Sequence, residues 1–241
     1  MNQRSKIIVS AEAGFSLIEL LAVVTVIVAL GGISIFYLVG HQKAYKTDDQ
    51  SLLITDVLQE ARQRSLTQRR TMRVEINRTT NSVRLIDENT DATSPTDDNV
   101  LKVVNLVNPV DVVVGPPPGN IAYNPPEPLP NPTAVFIPSV YPTSAAQSVC
   151  TLRFRSDGTV TNAGNNAIGT GAVMTGATIH VWEPIRATPA NADIARSITV
   201  IGSTGTIRLW EFDSQLTGAN KWKDSRRYGT YGGSATPTPT P

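Results

Sequence analysis

Three regimes of apolar and polar positions follow one another along the chain. Residues 1–14 are polar, with Arg4 and Lys6, and Phe15 to Val39 is almost entirely apolar, with Glu19 as its only charge. About 24 such residues at about 1.5 Å rise make roughly 36 Å of helix, enough for a bilayer core of about 30 Å. The second regime has helical period. Between Gln42 and Arg70 there is no Gly or Pro, and Ile54, Leu58, Ala61 and Ser65 recur at spacings of four and three. Asp56, Gln59, Glu60, Arg62, Gln63 and Arg64 fall on other faces. This spacing predicts an amphipathic helix with one face against a packed domain.

The third regime has period two. Met72-Arg73-Val74-Glu75-Ile76 and Val83-Arg84-Leu85-Ile86-Asp87 flank the turn-forming run from Asn77 to Ser82, which predicts a hairpin. Residues 87–99 are acidic and polar and are expected to form a loop. Val100 to Val114 predicts one or two strands, broken at Asn108-Pro109. Thr151 to Arg155 alternates again and leads into the turn Ser156-Asp157-Gly158-Thr159, then Val160-Thr161. Residues 162–177, rich in Gly, Asn and Ala, predict a loop, and Thr178 to Trp182 a strand. Arg196 to Gly202 and Thr206 to Phe212 form the clearest hairpin, turning at Ser203-Thr204-Gly205. Residues 115–142 are dense in proline, which cannot donate to a strand ladder. They are expected to form an extended surface insertion, with Ala134-Val135-Phe136-Ile137 as a candidate edge strand. The terminal Thr-Pro repeat from Ala235 reads as a disordered tail.

Composition changes this picture little. The 241 residues suit one ordinary domain with appendages or two small domains, and 40% apolar content is enough for a core. A net charge of +1 gives no general argument for nucleic acid. The lone Cys150 excludes an intrachain disulfide and a cysteine-based zinc cage, and its place before an alternating run predicts a buried thiol.

The amino terminus admits three readings. A secretory signal peptide has an apolar region of about 7–15 residues followed by a small-residue cleavage site. Here the run is longer, and the small residues Ala11-Glu12-Ala13-Gly14 precede it. A plain signal anchor explains the length, and Arg4 and Lys6 favour a cytoplasmic amino terminus. It leaves Glu19 unexplained, at a cost of about 2.5–3.5 kcal/mol near a helix centre and less near an end. The third reading is a prepilin. Ala13-Gly14-Phe15-Ser16-Leu17-Ile18-Glu19-Leu20-Leu21 resembles the class III signal of type IV pilins and type II secretion pseudopilins.

That resemblance implies cleavage by a prepilin peptidase between Gly14 and Phe15, on the cytoplasmic side, and N-methylation of Phe15. It implies that Glu19 pairs with the Phe15 amine of a neighbouring subunit during assembly. Cutting ahead of the apolar run would remove Arg4 and Lys6 and leave the anchor in place. A snorkelling carboxylate at the membrane surface is the alternative reading of Glu19. Many major pilins carry a helix-kinking proline about 22 residues into the processed chain; Phe36 stands at that position, which favours a minor subunit or pseudopilin. The early hairpin, the run Leu152-Arg153-Phe154-Arg155-Ser156-Asp157-Gly158-Thr159 and the final hairpin are similar to the GspH/FimT branch of minor subunits.

Chemistry-bearing motifs are scarce. His41 and His180 lack partners at metal-ligand spacing; His41 is expected near the membrane surface, and His180 facing solvent or satisfied in the core. There is no phosphate loop, dinucleotide fingerprint or nucleophile elbow, so no catalysis, cofactor or metal is expected. Asp87, Glu88, Asp91, Asp97 and Asp98 offer oxygens for calcium but lack the spacing of a known loop, and a solvated loop is the preferred reading. Two basic clusters remain. Arg62, Arg64, Arg69, Arg70, Arg73 and Arg78 span the helix end and the first strand; Lys221, Lys223, Arg226 and Arg227 lie among Trp222, Tyr228 and Tyr231. The second interleaves bases with aromatics, as nucleic-acid surfaces do.

The expectation is therefore an α+β protein. Residues 1–14 are a leader, and 15–70 a helix whose 15–39 part is transmembrane. Residues 71–233 are a β-rich head with the insertion 115–142, and 234–241 a disordered tail. The helix is expected to pack on an antiparallel sheet, giving a pilin-like lollipop. The expected role is a structural minor subunit of a type IV pilus or type II secretion pseudopilus. It would sit in the inner membrane with its head outside the cytoplasm. Its implied partners are other pilin subunits, the prepilin peptidase and methyltransferase, and the assembly platform. The rival is a membrane-anchored binding module whose head recognises DNA, a surface or an exported substrate.

Overall fold

The computed structural model describes residues 16–88, 98–115, 127, 129, 135–184, 195–216 and 221–225, without the side chains of 35–44. A single helix, α1, runs Leu17–Gln68. Residues up to Gln42 form one compact unit and those from Lys43 onward a second. In the second unit, Ile54, Leu58, Ala61 and Ser65 are all fully buried, the stripe that the four-and-three spacing predicts. The helix ends before Arg69, whose positive φ of 54° breaks the helical path.

Eleven strands follow among the described residues: β1 (Met72–Asn77), β2 (Ser82–Asp87), β3 (Asn99–Asn105), β4 (Val113–Gly115), β5 (Ile137–Pro138), β6 (Ser148–Phe154), β7 (Val160–Thr161), β8 (Ala177–Trp182), β9 (Arg196–Val200), β10 (Ile207–Phe212) and β11 (Trp222–Asp224). They make two antiparallel sheets. The first has the order β3-β2-β1-β6-β5, with β7 also paired to β6; the second is β11-β10-β9-β8-β4. The expected hairpins β1–β2 and β9–β10 are both present. Asn81 closes the first at a φ of 50°, and its side-chain amide donates to Leu106 O and Val107 O at 2.9 and 2.7 Å. Asn tolerates this left-handed conformation better than most residues.

The head has two sheets where the alternation pattern suggested one. β3 and β4, adjacent in sequence, belong to different sheets, because β4 pairs with the distant β8. β11 extends the second sheet beyond the hairpin read from sequence. The candidate edge strand shrinks to Ile137–Pro138, paired with Val149 and Ser148; Ala134 and most of the proline-rich insertion lie outside the described residues.

One hydrophobic cluster joins the three layers. It takes Ile54, Val57, Leu58 and Ala61 from the helix, Val74, Ile76, Leu85 and Leu152 from the first sheet, and Ile179, Val181, Ile198 and Val200 from the second. Each such side chain is worth roughly 1.5–3 kcal/mol of transfer free energy. Between these positions in the second sheet, Thr178, His180, Ser197 and Thr199 are buried as well, so β8 and β9 are covered on both faces.

Candidate functional site

The segment Leu17–Ser34 is the most unusual surface in the molecule. It has a mean hydropathy of 2.4, it is long and apolar enough to cross a membrane, and none of it is buried. Leu17 is 83% exposed and Ile27 62%. Soluble proteins rarely expose apolar surface on this scale, and when they do it marks contact with a membrane or another protein. The helix keeps its few polar groups on itself: Thr25 Oγ1 donates to Leu21 O and Ser34 Oγ to Leu30 O, each at 2.8 Å. Such back-bonding satisfies hydroxyls without solvent.

Glu19 lies in the first turn of this helix and is exposed. Ser16 O accepts from the backbone N–H groups of Glu19 and Leu20 at 3.0 and 3.1 Å, opening the helix just ahead of the acid. A carboxylate there meets the positive end of the helix dipole. Gly14 and Phe15 lie outside the described residues, as does the side chain of His41.

The first basic cluster is divided by the fold. Arg73, read from sequence as part of a basic surface run, has a fully buried side chain. Its guanidinium meets Glu75 at 2.9 Å, Glu88 at 2.7 Å and Asp98 at 2.8 Å, and lies 3.7 Å above the Tyr141 ring. Burial alone would lower the Arg73 pKa, but the charges of Glu75, Glu88 and Asp98 outweigh it and the net direction is up. Glu88 also holds Arg153 at 2.7 Å. Of the oxygens considered for calcium, Glu88 and Asp98 are thus committed to arginine, and Asp87 pairs with Arg70 at 3.3 Å. These three belong to ion pairs instead of the solvated loop expected; Asp91 and Asp97 lie outside the described residues. Among the described residues no group of three or more His, Cys, Asp or Glu is arranged for a metal ion.

Of the second basic cluster, Lys223 pairs with Asp213, whose carboxyl is held below its ordinary value by that hydrogen bond. Lys221 reaches Ser214 O at 3.4 Å. Arg226 and Arg227 lie outside the described residues. His180 is buried, and desolvation drives its pKa down to about 3; its ring centroid lies 5.6 Å from that of Trp222. Cys150 is buried too, its pKa pushed up to about 12 by burial. A thiol so far above neutrality is a poor nucleophile.

No family model, curated protein or solved structure matches this chain.

Proposed function

We propose that this chain is a type IV pilin-like subunit of the minor, GspH/FimT type, built into a pilus or a type II secretion pseudopilus. The observation that carries the reading is the fully exposed apolar helix with a single carboxylate in its first turn, directly after Gly14-Phe15. In this reading the peptidase removes residues 1–14, Phe15 becomes the methylated amino terminus, and Leu17–Ser34 holds the subunit in the inner membrane with the head outside the cytoplasm. The molecule then has the lollipop form of a pilin. Glu19 lies one helical turn from the new amine and pairs with that of a neighbouring subunit. In a low-dielectric filament core an ionised carboxylate is tolerated only with such a partner, so the pair also sets the register of assembly.

Mass spectrometry of the chain, co-expressed with a prepilin peptidase and purified from membranes, tests this. The expected product begins at Phe15 and carries one extra methyl group, and Gly14→Val leaves residues 1–14 attached. Equal mature masses for the two chains would remove the basis of the proposal.

A further inference from the structure

The free edges of the two sheets differ in length. Among the described residues, the edge strands β5 and β7 have two residues each, and β4 and β11 three each. β3, at the other end of the first sheet, has seven. Proteins keep free edges short, or guard them with proline, charge or bulges, because unpaired backbone groups template further strands. Pro138 guards β5 in this way.

β3 carries two such guards, and neither closes it. Its pairing with β2 slips between Leu85 and Ile86, leaving Leu101 as an extra residue, but residues 102–105 pair regularly with 82–85. Lys102 turns to the helix, where Asp56 at 3.5 Å and Glu60 at 2.9 Å hold its ammonium group.

The ladder fixes which backbone groups face outward. Leu106 donates its N–H to Asn81 O, and the next pair along is Asn105 with Ser82. Alternation from that bond turns the N–H and C=O groups of Lys102 and Val104 toward β2, and those of Val103 and Asn105 away from it. The outward groups have no partner strand among the described residues. The side chains beside them are open as well. Val103 is 55% exposed and Val100 40%. These two stand across from Arg84 and Ile86, on the sheet face opposite Lys102.

We propose that β3 is a docking edge for an extended strand of a partner protein, one that alternates apolar with basic side chains. A row of outward N–H and C=O groups is matched by extended backbone, which supplies both acceptors and donors at the same spacing. Successive side chains of the added strand fall on opposite faces. One set meets Val100 and Val103 and is apolar. The other meets the helix side and is basic, because the Asp56 carboxylate there is 74% exposed and is answered only by Lys102 among the described residues. A second copy of this chain fits that seam less well. It brings another Asp56 to the first, and its own Lys102 is already held by Glu60. The site is independent of the part played by the amino-terminal helix.

The test titrates the full chain, in micelles of a neutral detergent, with a fluorescent peptide of alternating valine and lysine. A second peptide keeps those side chains but is N-methylated along its backbone. The first peptide is expected to bind and to slow hydrogen exchange at the Val103 and Asn105 amides. The N-methylated peptide is expected to bind about tenfold more weakly or worse, since it cannot donate to the edge. Val103→Pro is expected to cause a similar loss. Proline is tolerated where a strand N–H faces outward, and unaltered thermal unfolding checks this; the comparison of peptides stands whether or not that variant folds. Asp56→Asn is expected to weaken binding about threefold. The proposal is overturned by no binding of the first peptide, by equal binding of the two, or by unchanged exchange at Val103 and Asn105. Self-association of the free chain that Val103→Pro abolishes would also overturn it, by giving the edge to a second copy.

Discussion

The apolar part of α1 and the charged cluster of the head obey opposite rules. From Leu17 to Ser34 the side chains are apolar and outside; in the head, Arg73, Glu75 and Glu88 are charged and inside. In water each arrangement is expensive, the first through apolar hydration and the second through lost solvation of ions. The head offsets its cost internally, by giving Arg73 three carboxylates, a hydroxyl from Thr143 at 3.1 Å and an aromatic face. The helix has no internal remedy among the described residues. Apolar surface on this scale calls for a cover from outside the chain, a membrane or another protein. The contrast separates a region that answers its buried charges from within from one whose apolar surface is left uncovered among the described residues.

The largest expected effect breaks the outer half of the contrast. Replacing Val24 and Val28 by Asp introduces charges costing about 2.5–3.5 kcal/mol each at mid-helix depth. The chain is expected to leave the membrane fraction in alkaline extraction, with the unfolding temperature of the head unchanged. Retention in the membrane would show that something other than this helix anchors it.

Next in size is a break of the inner half. Arg73→Met leaves Glu75 and Asp98 buried without their cation and Glu88 with Arg153 alone, and is expected to cost about 3–5 kcal/mol in denaturant unfolding. A loss below about 1 kcal/mol would place the cluster at a solvated surface.

The smallest effect sharpens the comparison through pH. The folded pKa of His180, about 3, lies below its ordinary 6.5, because burial disfavours the charged ring. Below pH 6.5 the unfolded chain takes up a proton that the folded one refuses, so stability falls as pH drops from 6.5 toward 3. The slope is at most about 1.4 kcal/mol per pH unit. His180→Gln is expected to flatten that part of the stability curve; an unchanged slope would assign it to other groups.

Much of this was legible along the chain because it is local. The stripe Ile54, Leu58, Ala61 and Ser65 follows from helical period alone, and the β1–β2 and β9–β10 hairpins from alternation interrupted by turn residues. Arg73 is the instructive failure. Arg73 and Glu75 are two apart in a strand and so share a face, which was a visible hint of pairing. Their burial was not visible, because Tyr141 and Thr143, which cover that face, lie about 70 positions away. The approach of the β9–β10 turn to the helix was likewise not visible, since Gly205 and Arg62 meet across more than 140 positions.

The amino-acid sequence by itself determined the apolar helix, its lone Glu19 and the order of the hairpins, since backbone period and hydropathy depend on near neighbours. Only the tertiary structure decided that β3 and β4 part into different sheets, that β8 and β9 are covered on both faces, and that Arg73 is buried among carboxylates. Those outcomes depend on which distant segments approach, and on the cost of burying a charge, which depends on everything packed around it.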